Sequence, residues 1–291
     1  MTLTQEFKKS LKFTEVEELL DLALYRPLGF LLAKGFSYTP LTPNQVTLLS
    51  LVTGLTSAWF IAQGTGIYFT WGGLLYAVSN SLDCADGQLA RLKHNGTPFG
   101  RLVDGVVDWI VGVTAYVSLG IGLSAATGNP WIWVLAVGGG VSFALHALVF
   151  DYIQQQYLSV VRRELPYVLK ELENVRSART VHDGGSVFRK AGLLLYSRYL
   201  GIQQHWFSAS DPSRGESPEA FRQHNRCVMR GWSFLGPTTN RTLLAVGCLA
   251  LRPDLFLWFL IVVGNAYLVL MMIWQRTVRT RRAKEIPPAE T

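Results

Sequence analysis

Six windows of about 20 residues are apolar enough to cross a bilayer, near residues 46–64, 67–82, 102–125, 130–151, 232–251 and 255–274. Nothing else in the sequence restricts the fold as strongly. Backbone in hydrocarbon has no water to bond, so each window must satisfy its own hydrogen bonds, and uninterrupted runs of this length do so as helices. The chain is 49% hydrophobic and only 16% charged over 291 residues, less charge than a soluble domain carries. The expected fold is all-α: a polytopic membrane protein of six transmembrane helices. An N-terminal interfacial helix precedes them, and a helical cytoplasmic insert separates the fourth from the fifth. The segments expected are 1–45 (interfacial), 46–151 (helices one to four), 152–231 (insert), 232–275 (helices five and six) and 276–291 (basic tail).

Charge placement orients the spans. All but Arg252 of the 27 Lys and Arg residues fall in four stretches, 1–45, 83–101, 152–241 and 276–284, while the connections at 63–66 and 126–129 carry no charge. With six spans these four stretches share one face, so both termini are expected in the cytoplasm. A net charge of +7 fits this bias and attraction to anionic lipid, and no nucleic acid is expected as a partner. Cys84, Cys227 and Cys248 form no CxxC pair, which argues against a disulfide framework or structural zinc. The first 40 residues mix Lys and Glu without an unbroken apolar run, so no signal peptide is expected and the first span serves as its own insertion signal.

Residues 11–34 carry apolar positions at helical spacing between charges, predicting one interfacial helix kinked at Pro27. Thr42 is the predicted cap of the next helix, with Pro43 in its first position. Residues 193–207 read as a second interfacial helix, and Ser217-Pro218-Glu219 as a helix start. His146, inside an apolar span, is expected to bond within the helix bundle.

The chemistry-bearing stretch is Asp83-x2-Asp86-Gly87-x2-Ala90-Arg91-x8-Gly100-x3-Asp104-x3-Asp108. On helices, residues 83, 86, 87 and 90 share one face and residues 100, 104 and 108 another. Antiparallel neighbours would bring four carboxylates to a common point near the cytoplasmic surface. Like charges beside a bilayer are costly unless a cation lies between them. Oxygen-only donors suit Mg²⁺ or Mn²⁺ better than zinc, and four carboxylates can hold two ions. Gly87, Ala90 and Gly100 leave room for a phosphate or nucleotide, and Arg91 offers a planar cation to phosphate oxygens. A plainer alternative is a set of helix-end carboxylates paired with Arg91, Lys93 and Arg101, but that pairing has no need of the Gly and Ala positions.

This string resembles the signature of the CDP-alcohol phosphotransferase family of integral membrane enzymes at all eight fixed positions over 26 residues. The resemblance extends upstream to Thr42-Pro43-Asn44-Gln45-Val46-Thr47 and covers residues 25–150. It implies attack by an alcohol on the β-phosphorus of a CDP-linked donor, with release of CMP, in phospholipid synthesis. It further implies metal binding by Asp83, Asp86, Asp104 and Asp108, with Asp108 as general base. A CMP site would be lined by Gly87, Ala90, Arg91 and Gly100, with Asn44 and Thr47 beside them, and homodimers are common in that family. Asp151, Arg162 and Arg163 are candidates for the acceptor pocket.

The donor stays open at this level between CDP-diacylglycerol, with a water-soluble alcohol acceptor, and CDP-choline or CDP-ethanolamine, with a lipid alcohol. The compact six-span layout resembles the smaller members of that family, which use the lipid-linked donor, so the resemblance implies CDP-diacylglycerol. Two other classes compete. An intramembrane prenyltransferase would use paired acidic motifs but not the Gly, Ala and Arg pattern. A divalent-cation transporter would place its carboxylates nearer the bilayer midplane.

Overall fold

A computed structural model describes residues 3–11, 13–163 and 217–283, and among these it contains helices and no strands. In chain order they are α1 (Leu3–Ser10), a π-helical turn (Asp21–Tyr25), α2 (Arg26–Ser37), α3 (Pro43–Ala62), α4 (Gly66–Leu92), α5 (Pro98–Thr127) and α6 (Ile132–Val161). After the undescribed stretch come α7 (Pro218–Trp232), α8 (Pro237–Leu249), α9 (Pro253–Phe259), a second π-helical turn (Leu260–Gly264) and α10 (Asn265–Ala283).

Local chemistry sets several helix starts. Thr42 caps α3 in a full capping box: its hydroxyl accepts from Gln45 N–H, and the Gln45 side chain accepts from Thr42 N–H. Thr97 caps α5 by accepting from Gly100 N–H at 3.0 Å. Proline occupies an early position of α3, α5 and α8, each after an extended cap residue, where a missing N–H costs nothing.

Among the described residues, four helical stretches are long and apolar enough to cross a membrane: Pro43–Ala62, Gly100–Thr127, Ile132–Val161 and Pro253–Thr280. They match the first, third, fourth and sixth windows. The second window lies on α4, whose last turns carry Asp83, Asp86 and Arg91. The fifth is divided by a 3-10 turn (Ser233–Leu235) and Gly236, leaving α8 with 13 residues. These two windows are helical without meeting the same length and composition.

One compact unit comprises Met1–Leu148 and Arg230–Thr291. Its core joins Ile61 of α3, Phe69 and Tyr76 of α4, Val111 and Leu119 of α5, Leu244 of α8 and Leu257 of α9. α3 packs on both α4 and α5, and α8 packs on α4. Small residues let the backbones meet: a Cβ on Gly122 would lie 2.1 Å from the Ile61 carbonyl, and Gly64, at φ +72°, faces the Gly122 carbonyl. Ser57 and Ser79 donate across the α3–α4 seam to Gly72 O and Ser50 O, each at 2.7 Å. The outward faces carry Leu48, Trp59, Trp71, Trp109 and Val141, the apolar surface that lipid requires. His146 is bonded within the bundle as expected, 3.1 Å from Asn265 Oδ1, and Asn265 donates on to Ser142 at 2.9 Å.

The second unit is Val149–Met229, within which Tyr157 and Phe221 pack ring to ring. α7 begins at Pro218, as the Ser217-Pro218-Glu219 start predicts, with the Ser217 hydroxyl accepting from Ala220 N–H. The interfacial helix expected at 193–207 lies outside the described residues.

Residues 11–34 do not form one kinked helix. α1 ends at Ser10, and helix resumes at Leu19 and Leu20, just ahead of the π turn. Pro27 lies inside an unbroken helical run over residues 19–37, just after the π turn, and a proline beside a π turn is where a helix bends. The charges explain the break: Glu15, Glu17, Glu18 and Asp21 are all buried. Glu17 and Asp21 both pair with Arg26, at 2.8 and 3.1 Å, a geometry that a straight amphipathic helix with its charges in water would not give.

Candidate active site

α4 is 27 residues long, about 40 Å at 1.5 Å per residue, so it outruns a hydrocarbon core of about 30 Å. Its last turns, from Asp83 onward, carry the acidic face. α5 returns alongside with Asp104 and Asp108 in its first three turns. Across the two helices, Asp83, Asp104 and Asp108 each present a carboxylate oxygen within 4.8 Å of the other two. Asp83 Oδ1 is buried and has no hydrogen-bond partner.

Asp86, expected with these three, stands outside their group. It is 4% exposed and accepts a hydrogen bond from the Thr47 hydroxyl of α3. Thr47 also donates to Pro43 O at 3.1 Å, so the capped first turn of α3 is tied directly to the acidic face. Asn44 lies in the same turn, and its Oδ1 would be 2.9 Å from a Cβ built on Gly100. Asn44, Thr47, Asp86 and Gly100 thus meet at one place. Gly87 has open space above it, with only the Arg91 guanidinium within 4 Å of a would-be Cβ.

Two cations of the helix-end pairing, Arg91 and Lys93, bond to backbone carbonyls. Arg91 Nε donates to the Ser10 carbonyl, and Arg91 Nη2 is buried without a partner. Lys93 donates to the carbonyls of Thr39 and Leu41, both at 2.8 Å. A cation that enters the cluster is Arg241 of α8. Its Nη2 donates to Asp108 Oδ1 at 2.8 Å, and its Nη1 to Asn80 Oδ1 at 3.2 Å and Asp83 Oδ2 at 3.5 Å. The Arg241 side chain is 9% exposed and Asp83 21%, against 40% for Asp108, so Asp108 is more open to an incoming molecule than either.

Sequence reasoning missed Arg241. The signal was an ionisable residue inside the fifth apolar window, in Asn240-Arg241-Thr242, a placement that by itself suggests function. Of the acceptor candidates, Asp151 lies on α6 and accepts from Gln155 at 2.7 Å, while Arg162 and Arg163 follow the end of α6. All three belong to the second unit.

The donor set fits a hard divalent cation. It is all oxygen, comes from three carboxylates in one place, and includes a buried oxygen that no protein group satisfies.

Comparison with known proteins agrees with this arrangement. Residues 40–164 match the family model described as CDP-alcohol phosphatidyltransferase. The chain is 32% identical over 130 residues to a bifunctional IPC transferase and DIPP synthase of Aquifex aeolicus, covering 44% of this chain and 29% of that protein. The namesake from Thermococcus kodakarensis is 35% identical over 104 residues, 34% of this chain and 22% of the relative. A phosphatidylinositol phosphate synthase of Mycobacteroides abscessus is 26% identical over 179 residues, 60% of this chain and 68% of that protein. The chain thus spans less than a third of the bifunctional relatives but about two thirds of the synthase. Over residues 40–164, this chain is similar to the CDP-alcohol phosphatidyltransferase family.

Proposed function

We propose that this chain is a metal-dependent enzyme that transfers a phosphatidyl group from CDP-diacylglycerol to an alcohol, releasing CMP. The observation that carries the reading is the convergence of Asp83, Asp104 and Asp108 around the unsatisfied Asp83 oxygen. Mg²⁺ or Mn²⁺ held there, as two ions if Asp86 contributes, would neutralise the diphosphate and stabilise the leaving CMP.

The side chains divide the remaining work. Asp108, more open than Asp83, takes the proton of the attacking hydroxyl. Arg241 fixes the Asp108 carboxylate through Oδ1 and places a cation beside the charge that develops on the phosphoryl oxygens. Asn44, Thr47, Gly87, Ala90 and Gly100 form the CMP cradle, and Arg91 Nη2 offers a donor with no protein partner. Asp151, Arg162 and Arg163 remain candidates for the acceptor.

CDP-diacylglycerol is favoured because one relative is named for making phosphatidylinositol phosphate, a product that needs a phosphatidyl donor. In this reading α4 and the 232–251 segment that contains α8 also span, which gives six spans, and the Lys and Arg distribution sets the site and both termini in the cytoplasm.

A donor and acceptor screen tests it. Purified protein is incubated with Mg²⁺ or Mn²⁺ and either CDP-diacylglycerol plus inositol phosphate, glycerol phosphate or serine, or CDP-choline plus diacylglycerol. CMP release with CDP-diacylglycerol alone is expected. Release with CDP-choline would reverse the donor assignment, and turnover of a prenyl diphosphate in place of both would overturn the reading.

A further inference from the structure

α8, the helix that carries Arg241, lacks a cap of its own. Its N-cap residue is Gly236, with no side-chain hydrogen bond, and Pro237 follows it. The orphan N–H groups of the next two residues donate instead to Glu18, more than 200 positions away in sequence. Thr238 N–H reaches Oε1 at 3.0 Å and Thr239 N–H reaches Oε2 at 2.6 Å, and the Thr239 hydroxyl adds a bond to Oε2 at 2.8 Å. A Cβ on Gly236 would lie 2.1 Å from Glu18 Cδ, so the glycine that fails to cap is what admits the remote carboxylate.

The same N-terminal segment touches α8 one turn further on, where the Thr242 hydroxyl donates to Tyr25 Oη at 3.1 Å. Arg241 lies between these two attachments. The segment is itself anchored: Glu17 and Asp21 clamp Arg26, Arg230 donates to the Glu17 carbonyl, and the Cys84 thiol donates to Asp21 next to Asp83. It therefore joins the α8 end that holds Arg241 to the α4 end that holds Asp83.

We propose that the N-terminal segment is a strap that sets Arg241 against Asp83 and Asp108, with Glu18 as the positioning residue. The inference rests on the phosphotransfer reading for its catalytic meaning, but not for its geometry. Without Glu18 the first turn of α8 loses the partners of two N–H groups and frays. Arg241, in the second turn, then loses its fixed reach to Asp108.

The test uses the full chain in lipid nanodiscs, with Mn²⁺ binding read by electron paramagnetic resonance and turnover by CMP release. Arg241→Ala removes a cation from the carboxylate cluster, so Mn²⁺ should bind roughly tenfold more tightly while CMP release falls. Glu18→Ala should move both quantities in the same directions by a smaller factor. Added to Arg241→Ala, it should leave Mn²⁺ affinity where Arg241→Ala put it. Glu18→Ala with Gly236→Ser, which supplies a cap from within α8, should return both readouts towards the wild type. If Glu18→Ala does not purify folded, Glu18→Gln is taken through the same cycle. Wild-type Mn²⁺ affinity in the Glu18 variant overturns the strap, as does an equal shift with and without Arg241. Retained CMP release in Asp108→Asn would instead defeat the phosphotransfer reading, and the Mn²⁺ cycle would still decide the strap.

Discussion

Glu18 and Arg241 are charged side chains held in dry surroundings, and each is there for a partner distant in sequence. Burial pushes the Glu18 carboxyl up to about 7, against the lowering effect of the Thr238 and Thr239 N–H groups and the Thr239 hydroxyl, with nearby Asp21 adding to the rise. Between its ordinary value of 4.5 and about 7 the folded protein holds a proton that the unfolded chain has lost, so this group's contribution to stability declines as pH rises through that window. Glu18→Gln cannot titrate. The melting temperature of the wild type should therefore fall relative to Glu18→Gln between pH 5 and 7.5, and parallel melting curves across that range would contradict the assignment. The grouping of the aspartates at 83, 104 and 108 was legible because their spacing is local and helical, whereas Asp86, expected with them, bonds to Thr47 instead. Arg241 was not legible, since its bond to Asp108 joins positions 133 apart. Sequence alone offers no means of pairing one buried arginine among 27 basic residues with that carboxylate.

At the level of elements, helix starts were readable where a cap and a proline stand together. Thr42-Pro43 and Ser217-Pro218 both begin helices as expected. The N-terminal segment was misread because periodicity reports which residues share a face, not whether the charges between them are buried. Glu17, Glu18 and Asp21 find partners inside the protein, and those partners break the helix. The meeting of α3 and α5 at Asn44 and Gly100 yields a specific expectation. A methyl group at Gly100 would crowd Asn44 Oδ1 at 2.9 Å and Thr97 Oγ1 at 3.2 Å, and the flexible Asn44 side chain would be the one to move. Loss of about one nucleotide hydrogen bond, on the order of 1 kcal/mol, predicts that Gly100→Ala raises KM for the CDP-linked donor several-fold with a smaller change in kcat. In an Asn44→Ala background the same change should have little further effect on KM. An unchanged KM in the single variant would remove this pair from the nucleotide site.

Across the whole molecule, the segregation of positive charge and the apolar windows made an all-helical membrane protein legible before any coordinates. Four of the windows meet the length and composition of a span. The remaining two are where function displaces hydrophobicity: α4 ends in the acidic face, and α8 trades apolar length for Asn240, Arg241 and a remotely supplied cap. The helices place three aspartates of two antiparallel segments at one point and close that point with a cation from a third. The central claim is that this cluster performs metal-dependent transfer from a CDP-linked donor, with Asp108 as the base. The direct measurement is CMP release from CDP-diacylglycerol by wild type and Asp108→Asn, each with Mn²⁺, Mg²⁺ or a chelator, in protein that inserts and purifies alike. The account predicts release by the wild type only with metal, and a fall of at least about 10²-fold in the variant. Full activity in Asp108→Asn, or release that persists in the chelator, would contradict it.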